Sequence, residues 1–255
     1  MVNVKFVLGS PASLITNKDK ERILTISDLH IGLEYELQRL GFRVPSQTSK
    51  IVKGLCNLLA LIKPDVLVIL GDVKHEIRGL RKKVKIEVEG FLRKLLDTIG
   101  RVVIVMGNHD GSLKRLKIDG IEVYEASGIS IGDVSFVHGN AWPKLELLKG
   151  NVLVMGHLHP SILRHNEECR VWVVYHISKK VREEIRRSLK IDVNIKKLIV
   201  HPAYNDYLGH SPLSVKSFQK LSPIFRGLIN PLRGYVYGLD GTFIGRVSSV
   251  TSGIK

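Results

Sequence analysis

Cysteine is nearly missing from this chain. The two present, Cys56 and Cys169, lie far apart and form no CxxC. That excludes a disulfide-stapled scaffold and a thiolate zinc knuckle, and fits a reducing cytoplasm. Aromatic residues are also scarce, at 6%, and they do not interleave with the basic runs, which argues against a base-stacking single-strand binder. No apolar run approaches the roughly eighteen uncharged residues of a transmembrane helix. The opening "MVNVKFVLGSPASLITNKDK" lacks the charged start and continuous apolar run of a secretion signal, and reads as a first pair of strands. No GxGxxG opens a helix after a strand, which excludes a dinucleotide-binding oxidoreductase. No GxSxG or reactive-cysteine motif offers a protein nucleophile. Acid is the minority charge, with 24 Asp and Glu against 39 Lys and Arg and a net charge of +15. Such a balance suits a polyanionic partner such as nucleic acid.

What is present is enough for a substantial core. The chain has 255 residues, 44% of them hydrophobic, a length for one large domain or two small ones. "TSKIVKGLCNLLALIKP" (48–64) carries apolar residues at 51, 52, 55, 58, 59 and 62, a helical spacing that Pro64 ends. Positions 84, 88, 91, 92, 95 and 99 mark a second amphipathic helix. "RILTIS" (22–27), "DVLVIL" (65–70), "RVVIVM" (101–106), "SFVH" (135–138) and "NVLVM" (151–155) read as strands. The alternation predicts an α/β core. The continuous apolar runs at 65–70 and 101–106 predict strands covered on both faces.

The residues after each strand carry the chemistry. "RILTIS" runs into "DLHIG", with Asp28 and His30. "DVLVIL" runs into "GDVKHE", with Asp72, Lys74 and His75. "RVVIVM" runs into "GNHDG", with Asn108, His109 and Asp110. His138 follows "SFV", and "GHLH", with His157 and His159, follows "NVLVM". Taken alone, each is as ordinary as a turn. Five strands in order each ending in metal-capable side chains are not, because ligands of α/β sheets bind at the carboxyl ends of strands. Six of the ten histidines fall in or beside these blocks. The other four, His165, His176, His201 and His210, read as structural. Carboxylate, imidazole and amide oxygen together suit Mn²⁺, Fe²⁺, Zn²⁺ or Ni²⁺. The set is too large for one ion and about right for two, and a carboxylate can bridge them. Alternation along an extended strand would let Asp28 and His30 face one ion together.

The five blocks, D-x-H, G-D, G-N-H-D, a histidine after a strand and G-H-x-H, resemble the calcineurin-like metallophosphoesterase superfamily. The resemblance implies a four-layer α/β/β/α sandwich with the site at strand ends along one edge. It implies that Asp28, His30 and His159 bind a first divalent metal, that Asn108, His138 and His157 bind a second, and that Asp72 bridges them. Mn²⁺ is the first expectation for both. His157 and His159, two residues apart, would then serve different ions along an extended segment. Two such ions, roughly 3.5–4 Å apart, generate a hydroxide that attacks phosphorus. The family pattern makes His109 the general acid, and Asp110 is expected to orient it. Within the superfamily, "SDLHIG" with Glu34, "GDVKH", "HPAYN" (201–205) and "YGLDGTFIG" (237–245) resemble the ICC-like or SbcD-related phosphoesterases, which have a bacterial branch associated with DNA ligase. The segment 177–197 departs from that group by its length.

Substrate is read from charge. Lys74, His75, Arg78 and Arg81 are expected to contact a phosphate, with "RGLRKKVK" (78–85) forming a cationic rim. The basic run 179–197, with apolar positions 181, 185 and 189 and a Glu183–Arg187 spacing, reads as an ordinary amphipathic helix. The expectation is a phosphodiesterase or nuclease acting on nucleic acid or nucleotides. Its alternatives are a small-molecule phosphomonoesterase or cyclic-nucleotide phosphodiesterase on the same site and, last, a non-catalytic scaffold. Residues 1–255 are expected to form one domain. Residues 170–255 would supply the second half of the sandwich or a small cap, ending in a hairpin that turns at Asp240-Gly241. Nothing in the pattern addresses oligomeric state.

Overall fold

The computed structural model describes residues 2–77, 79–116, 118–164, 166–208 and 211–252. Arg78, His165 and His210 fall outside these residues.

The first sheet starts with β1 (Asn3–Phe6), β2 (Ser13–Thr16) and β3 (Arg22–Ile26), paired antiparallel. Helices α1 (Leu33–Arg39) and α2 (Thr48–Ile62) follow, then β4 (Val66–Ile69), α3 (Lys82–Leu96), β5 (Val102–Val105) and β6 (Ile121–Tyr124). β3, β4, β5 and β6 run parallel. The second sheet is built from β7 (Ile129–Ile131), β8 (Val134–Val137), β9 (Val152–Met155), β10 (Pro160–Arg164), β11 (Glu167–His176), then β12 (Lys197–Val200) after α4 (Lys179–Leu189). β13 (Ser211–Pro212) joins its edge. After α5 (Val215–Leu221) and α6 (Pro223–Gly227), β14 (Tyr235–Gly238) and β15 (Phe243–Arg246) add a hairpin to β11, and α7 (Val247–Ser252) follows. In this sheet β8, β9 and β12 are parallel.

Alternation along the strands explains the layers. In β4, Val66 and Val68 point between the sheets, where they meet Phe136, Val154, Trp172 and Ile199. Leu67 and Ile69 point the other way, onto Leu55 and Leu59 of α2 and Val88 and Phe91 of α3. β9 does the same in the second sheet: Val152 and Val154 face inward, while Leu153 and Met155 face outward, in the core that includes Ile185 of α4 and Phe218 and Phe225 of α5 and α6. Each fully buried Val, Leu or Phe contributes roughly 1.5–3 kcal/mol. Two faced sheets between two helical layers give the expected α/β/β/α sandwich. The helix over 48–64 stops at Lys63, in the left-handed region, just before Pro64.

Strands from the region after residue 170 pair in register with β9, Leu198 opposite Leu153 and Val200 opposite Met155. In α4, Ile185 is buried and Val181 partly so, whereas Leu189 is exposed. Glu183 pairs with Lys179 at 3.9 Å and not with Arg187. No helix among the described residues is long and apolar enough to cross a membrane.

Candidate metal centre

The parallel strands of both sheets end at one edge, and the loops leaving them interlock there. After β3, His30 N donates to the Asp72 carbonyl (2.8 Å) and Ile31 N to that of Val73 (2.9 Å), while His75 N donates back to Ile31 (3.0 Å). The DLH and GD loops are therefore zipped together. After β9, the His157 amide donates to Asp28 Oδ2 at 3.0 Å, joining the second sheet to the first. Gly107 and Gly156 sit where a side chain has no room. A Cβ on Gly107 would overlap Asp72 Oδ1, and one on Gly156 would lie 2.7 Å from Asp28 Oδ2.

The ligand loops are not extended. Asp28 (φ 57°), His30 (44°), Asp72 (50°), His157 (69°) and His159 (41°) all occupy the left-handed region, at a cost of order 1–3 kcal/mol each for residues with a Cβ. This corrects the expectation that strand alternation sets the spacing in DLH and GHLH. β3 ends at Ile26 and β9 at Met155, and the paired side chains converge through two left-handed turns.

Two compact groups draw on both sheets. Asp28, His30 and His159 offer ligand atoms within 4.8 Å of one another, and so do Asp72, His138 and His157. A third cluster of the same spacing, His30, His75 and His109, comes from the first sheet alone. His159 Nε2 is 3.1 Å from Asp28 Oδ1, and Asp72 Oδ2 lies between the groups, 3.3 Å from His30 Nε2 and 3.4 Å from His138 Nε2. His138 Nδ1 donates to the Leu70 carbonyl at 2.7 Å, which turns its Nε2 toward the centre. Nε2 of His30, His138 and His159 is buried in each case and has no hydrogen-bond partner among the described residues.

Buried carboxylates and imidazoles shift one another strongly here. Burial pushes the Asp28 carboxyl up, but His159 and His138 outweigh it and hold it down at about 2. Burial also opposes the charged form of Asp72, and His138 and His30 drive it well below the ordinary range. His138 is depressed by burial, yet Asp72 and Asp28 raise it to about 9. Burial holds His30 and His157 at about 4, with the neighbouring His138 adding to the effect on His157. The two buried carboxylates thus raise His138 and His159, while burial keeps His30 and His157 below their ordinary value. Imidazole and carboxylate donors without thiolate fit a borderline or hard divalent ion.

The remaining predicted residues divide. Asn108 stands exposed on the lip of the GNHD turn, next to the buried groups. The His109 amide donates to Asp72 Oδ1 (2.9 Å), its Nδ1 contacts the carbonyl of His75, and its Nε2 faces inward, 3.9 Å from Asp72 Oδ2. Asp110 does not orient that ring. It is fully buried, and its carboxylate accepts amides from Val73 (3.0 Å), Lys74 (3.4 Å) and Gly107 (3.0 Å), tying the GD loop to the GNHD loop. Lys74 does not reach a substrate either, because it is buried with Nζ turned onto the carbonyls of Glu76 and His109. His75 Nε2 is 2.8 Å from Glu36 Oε2 and its Nδ1 is 3.0 Å from His30 Nδ1, so both ring nitrogens are engaged within the protein. Arg81 is exposed and paired with Glu76 at the start of α3.

Sequence reading missed a support. "HPAYN" packs beneath the DLH loop: Tyr204 N donates to Ser27 (2.9 Å) and Asn205 Nδ2 to Leu29 (2.8 Å). His201, as expected of a structural histidine, is fully buried, with Nε2 2.9 Å from Ser13 Oγ.

No curated protein matches the chain. Among solved structures, the nuclease MPE from Pseudomonas putida is similar over 93% of this chain and 98% of its own, with a TM-score of 0.53 at 19% identity. YfcE, a phosphoesterase from E. coli, covers 88% of this chain and 97% of its own, with a TM-score of 0.43 at 16% identity. The family model for calcineurin-like phosphoesterases matches residues 21–200, a span that takes in both groups of ligands. This chain belongs to the calcineurin-like phosphoesterase family.

Proposed function

We propose that the chain is a phosphodiesterase that uses two divalent ions and acts on nucleic acid. The observation that carries the reading is Asp72, whose Oδ2 lies 3.3 Å from His30 of one ligand group and 3.4 Å from His138 of the other. In this reading Asp28, His30 and His159 hold one ion, Asn108, His138 and His157 hold the other, and Asp72 is shared. Manganese is the first ion to try. Bound there, the ions supply Lewis acidity and a water acidic enough to attack phosphorus near neutral pH. The chain's own part is positioning and proton transfer. His109, with Nδ1 on the His75 carbonyl, keeps Nε2 for the proton that the leaving oxygen needs.

Charge supports the substrate class. Arg39, Arg81 and Lys83 line a cavity of about 310 Å³ beside α1 and α3, on a chain of net charge +15. Binding through such side chains weakens as salt rises. "HPAYN" and "YGLDGTFIG" support kinship with the ICC-like or SbcD-related branch, residues 1–255 acting as one domain in the cytoplasm.

The test is a denaturing gel of end-labelled single-stranded DNA incubated with Mn²⁺ and protein, beside Asp72→Asn. Cleavage that vanishes in the variant supports the reading. An intact oligonucleotide from protein that carries two ions refutes the nucleic-acid substrate and leaves cyclic and mononucleotide phosphodiesters to assay next.

A further inference from the structure

His75 is engaged on three sides. Its Nε2 lies 2.8 Å from Glu36 Oε2, its Nδ1 lies 3.0 Å from Nδ1 of His30, and its backbone carbonyl takes Nδ1 of His109. We propose that Glu36 and His75 are positioning residues, forming a hydrogen-bonded relay that fixes which nitrogen of His30 is free to bind a divalent cation. The inference rests on the metal reading above.

Proton counting sets the direction of the relay. A carboxylate only accepts, so the His75 nitrogen facing Glu36 carries a hydrogen. A neutral imidazole has one N–H, so His75 Nδ1 is an acceptor. Two nitrogens 3.0 Å apart need one hydrogen between them, and it must come from His30 Nδ1. His30 Nε2 is left with its lone pair. That is the buried, partnerless atom 3.3 Å from Asp72 Oδ2, in the group with Asp28 and His159. With a cation on Nε2, His30 is a neutral imidazole whose one N–H sits on Nδ1, so the hydrogen between the two rings is its own. The opposite tautomer of His30 would aim an N–H at the cation. Metal-bound histidines commonly donate their second N–H to a carboxylate or carbonyl. Here an imidazole is interposed, and the carboxylate stands one ring further out.

The backbone holds the relay in place. Ile31 bridges to Lys74, so the loops bearing His30 and His75 are one unit. The His75 carbonyl places His109 in the same way, so one residue sets the ring of a ligand and the ring of the proposed acid. His30, His75 and His109 also lie within 4.8 Å of one another, as ligands of a third ion would. With Glu36 and His30 taking both ring nitrogens of His75, the relay accounts for that cluster without one.

The test uses the full chain, stripped of metal. Mn²⁺ binding is followed by calorimetry for the wild type, Glu36→Ala, Glu36→Gln and His75→Ala, and long-range ¹H–¹⁵N NMR of the metal-free proteins reads the His30 tautomer. The wild type is expected to take two ions and to hold His30 as the Nδ1–H form. His75→Ala and Glu36→Ala should weaken binding by roughly 10–100-fold at unchanged stoichiometry and mix the tautomers. Glu36→Gln, which keeps an acceptor oxygen, should recover most of the affinity. Glu36 is 58% exposed, so its variants stay readable even if His75→Ala misfolds. Unchanged affinity with a single His30 tautomer in the variants overturns the relay. Loss of a whole ion in His75→Ala, from three to two, overturns it in favour of ligation. A wild type that takes up no Mn²⁺ removes the metal reading and the relay with it, a result distinct from either.

Discussion

Replacing Asp110 with alanine separates two roles for the GNHD acid. Its carboxylate accepts three buried amides, from Val73, Lys74 and Gly107. Without it, each N–H is left without an acceptor, at roughly 1–3 kcal/mol apiece. Part of that is offset, because burial and the nearby Asp72 charge already raise the Asp110 carboxyl to about 6, so its ionised form is disfavoured. The offset is about 3 kcal/mol, and a net loss of about 3 kcal/mol remains at the middle of the range. For a chain of this size that is about 6–12 °C in Tm. Scanning calorimetry of the metal-free protein measures it directly. Asp110→Asn should fall between, since its carbonyl still serves Val73 and Lys74 while its NH₂ meets the Gly107 amide. Turnover in Asp110→Ala should drop through kcat more than KM, because the loops it joins carry Asp72 and His109. A melting shift under about 3 °C, with the alkaline limb of the pH–rate profile displaced, would refute this reasoning and restore Asp110 as the orienter of His109.

Two further outcomes follow from other sites. His201 is held neutral by burial, its pKa lowered to about 3 from an ordinary 6.5. Below pH 6.5 the unfolded chain therefore takes a proton that the folded chain refuses. Stability should fall as pH drops from 6.5 toward 3, with His201 contributing up to about 1.4 kcal/mol per pH unit. Urea titrations of wild type and His201→Gln across that window test this, and parallel slopes would show that the ring does not stay neutral. Gly107→Ala places a methyl on Asp72 Oδ1, and overpacking of this kind costs about 1–3 kcal/mol. Equilibrium dialysis should find Mn²⁺ uptake weakened well beyond what that stability loss explains, and normal uptake would mean that the Asp72 carboxylate has room to move.

Much of the architecture was legible because it is local. The apolar periodicities at 48–64 and 84–99 and the all-apolar strands return as α2, α3, β4 and β5 within about three residues. The ligand blocks were legible because each sits on a strand end, where a parallel sheet gathers side chains. What escaped depends on partners far along the chain. Lys74 looks like a rim cation in a basic stretch, and only the carbonyl of His109, 35 residues on, shows that it is turned inward. Glu34 drew notice and Glu36 did not. The structure buries Glu34 against the Gln47 amide and turns Glu36 toward His75. "HPAYN" gave no chemical signal because its role is to supply hydrogen bonds to a loop 176 residues earlier. The left-handed ligand residues escaped because Asp and His carry no marker for positive φ as glycine does.

The two ligand groups that contain Asp28 and Asp72 take side chains from both sheets, and this makes the centre a clasp across the seam of the sandwich. Neither sheet can assemble either of these sets alone, so ions held by them would bind only after the two have docked. Metal occupancy is then a reporter of the finished fold, and apparent stability should climb with free metal concentration by mass action. A chain cut between β6 and β7 would leave each half without a full set of the ligands around Asp28 and Asp72. Only the reunited halves would recover the site.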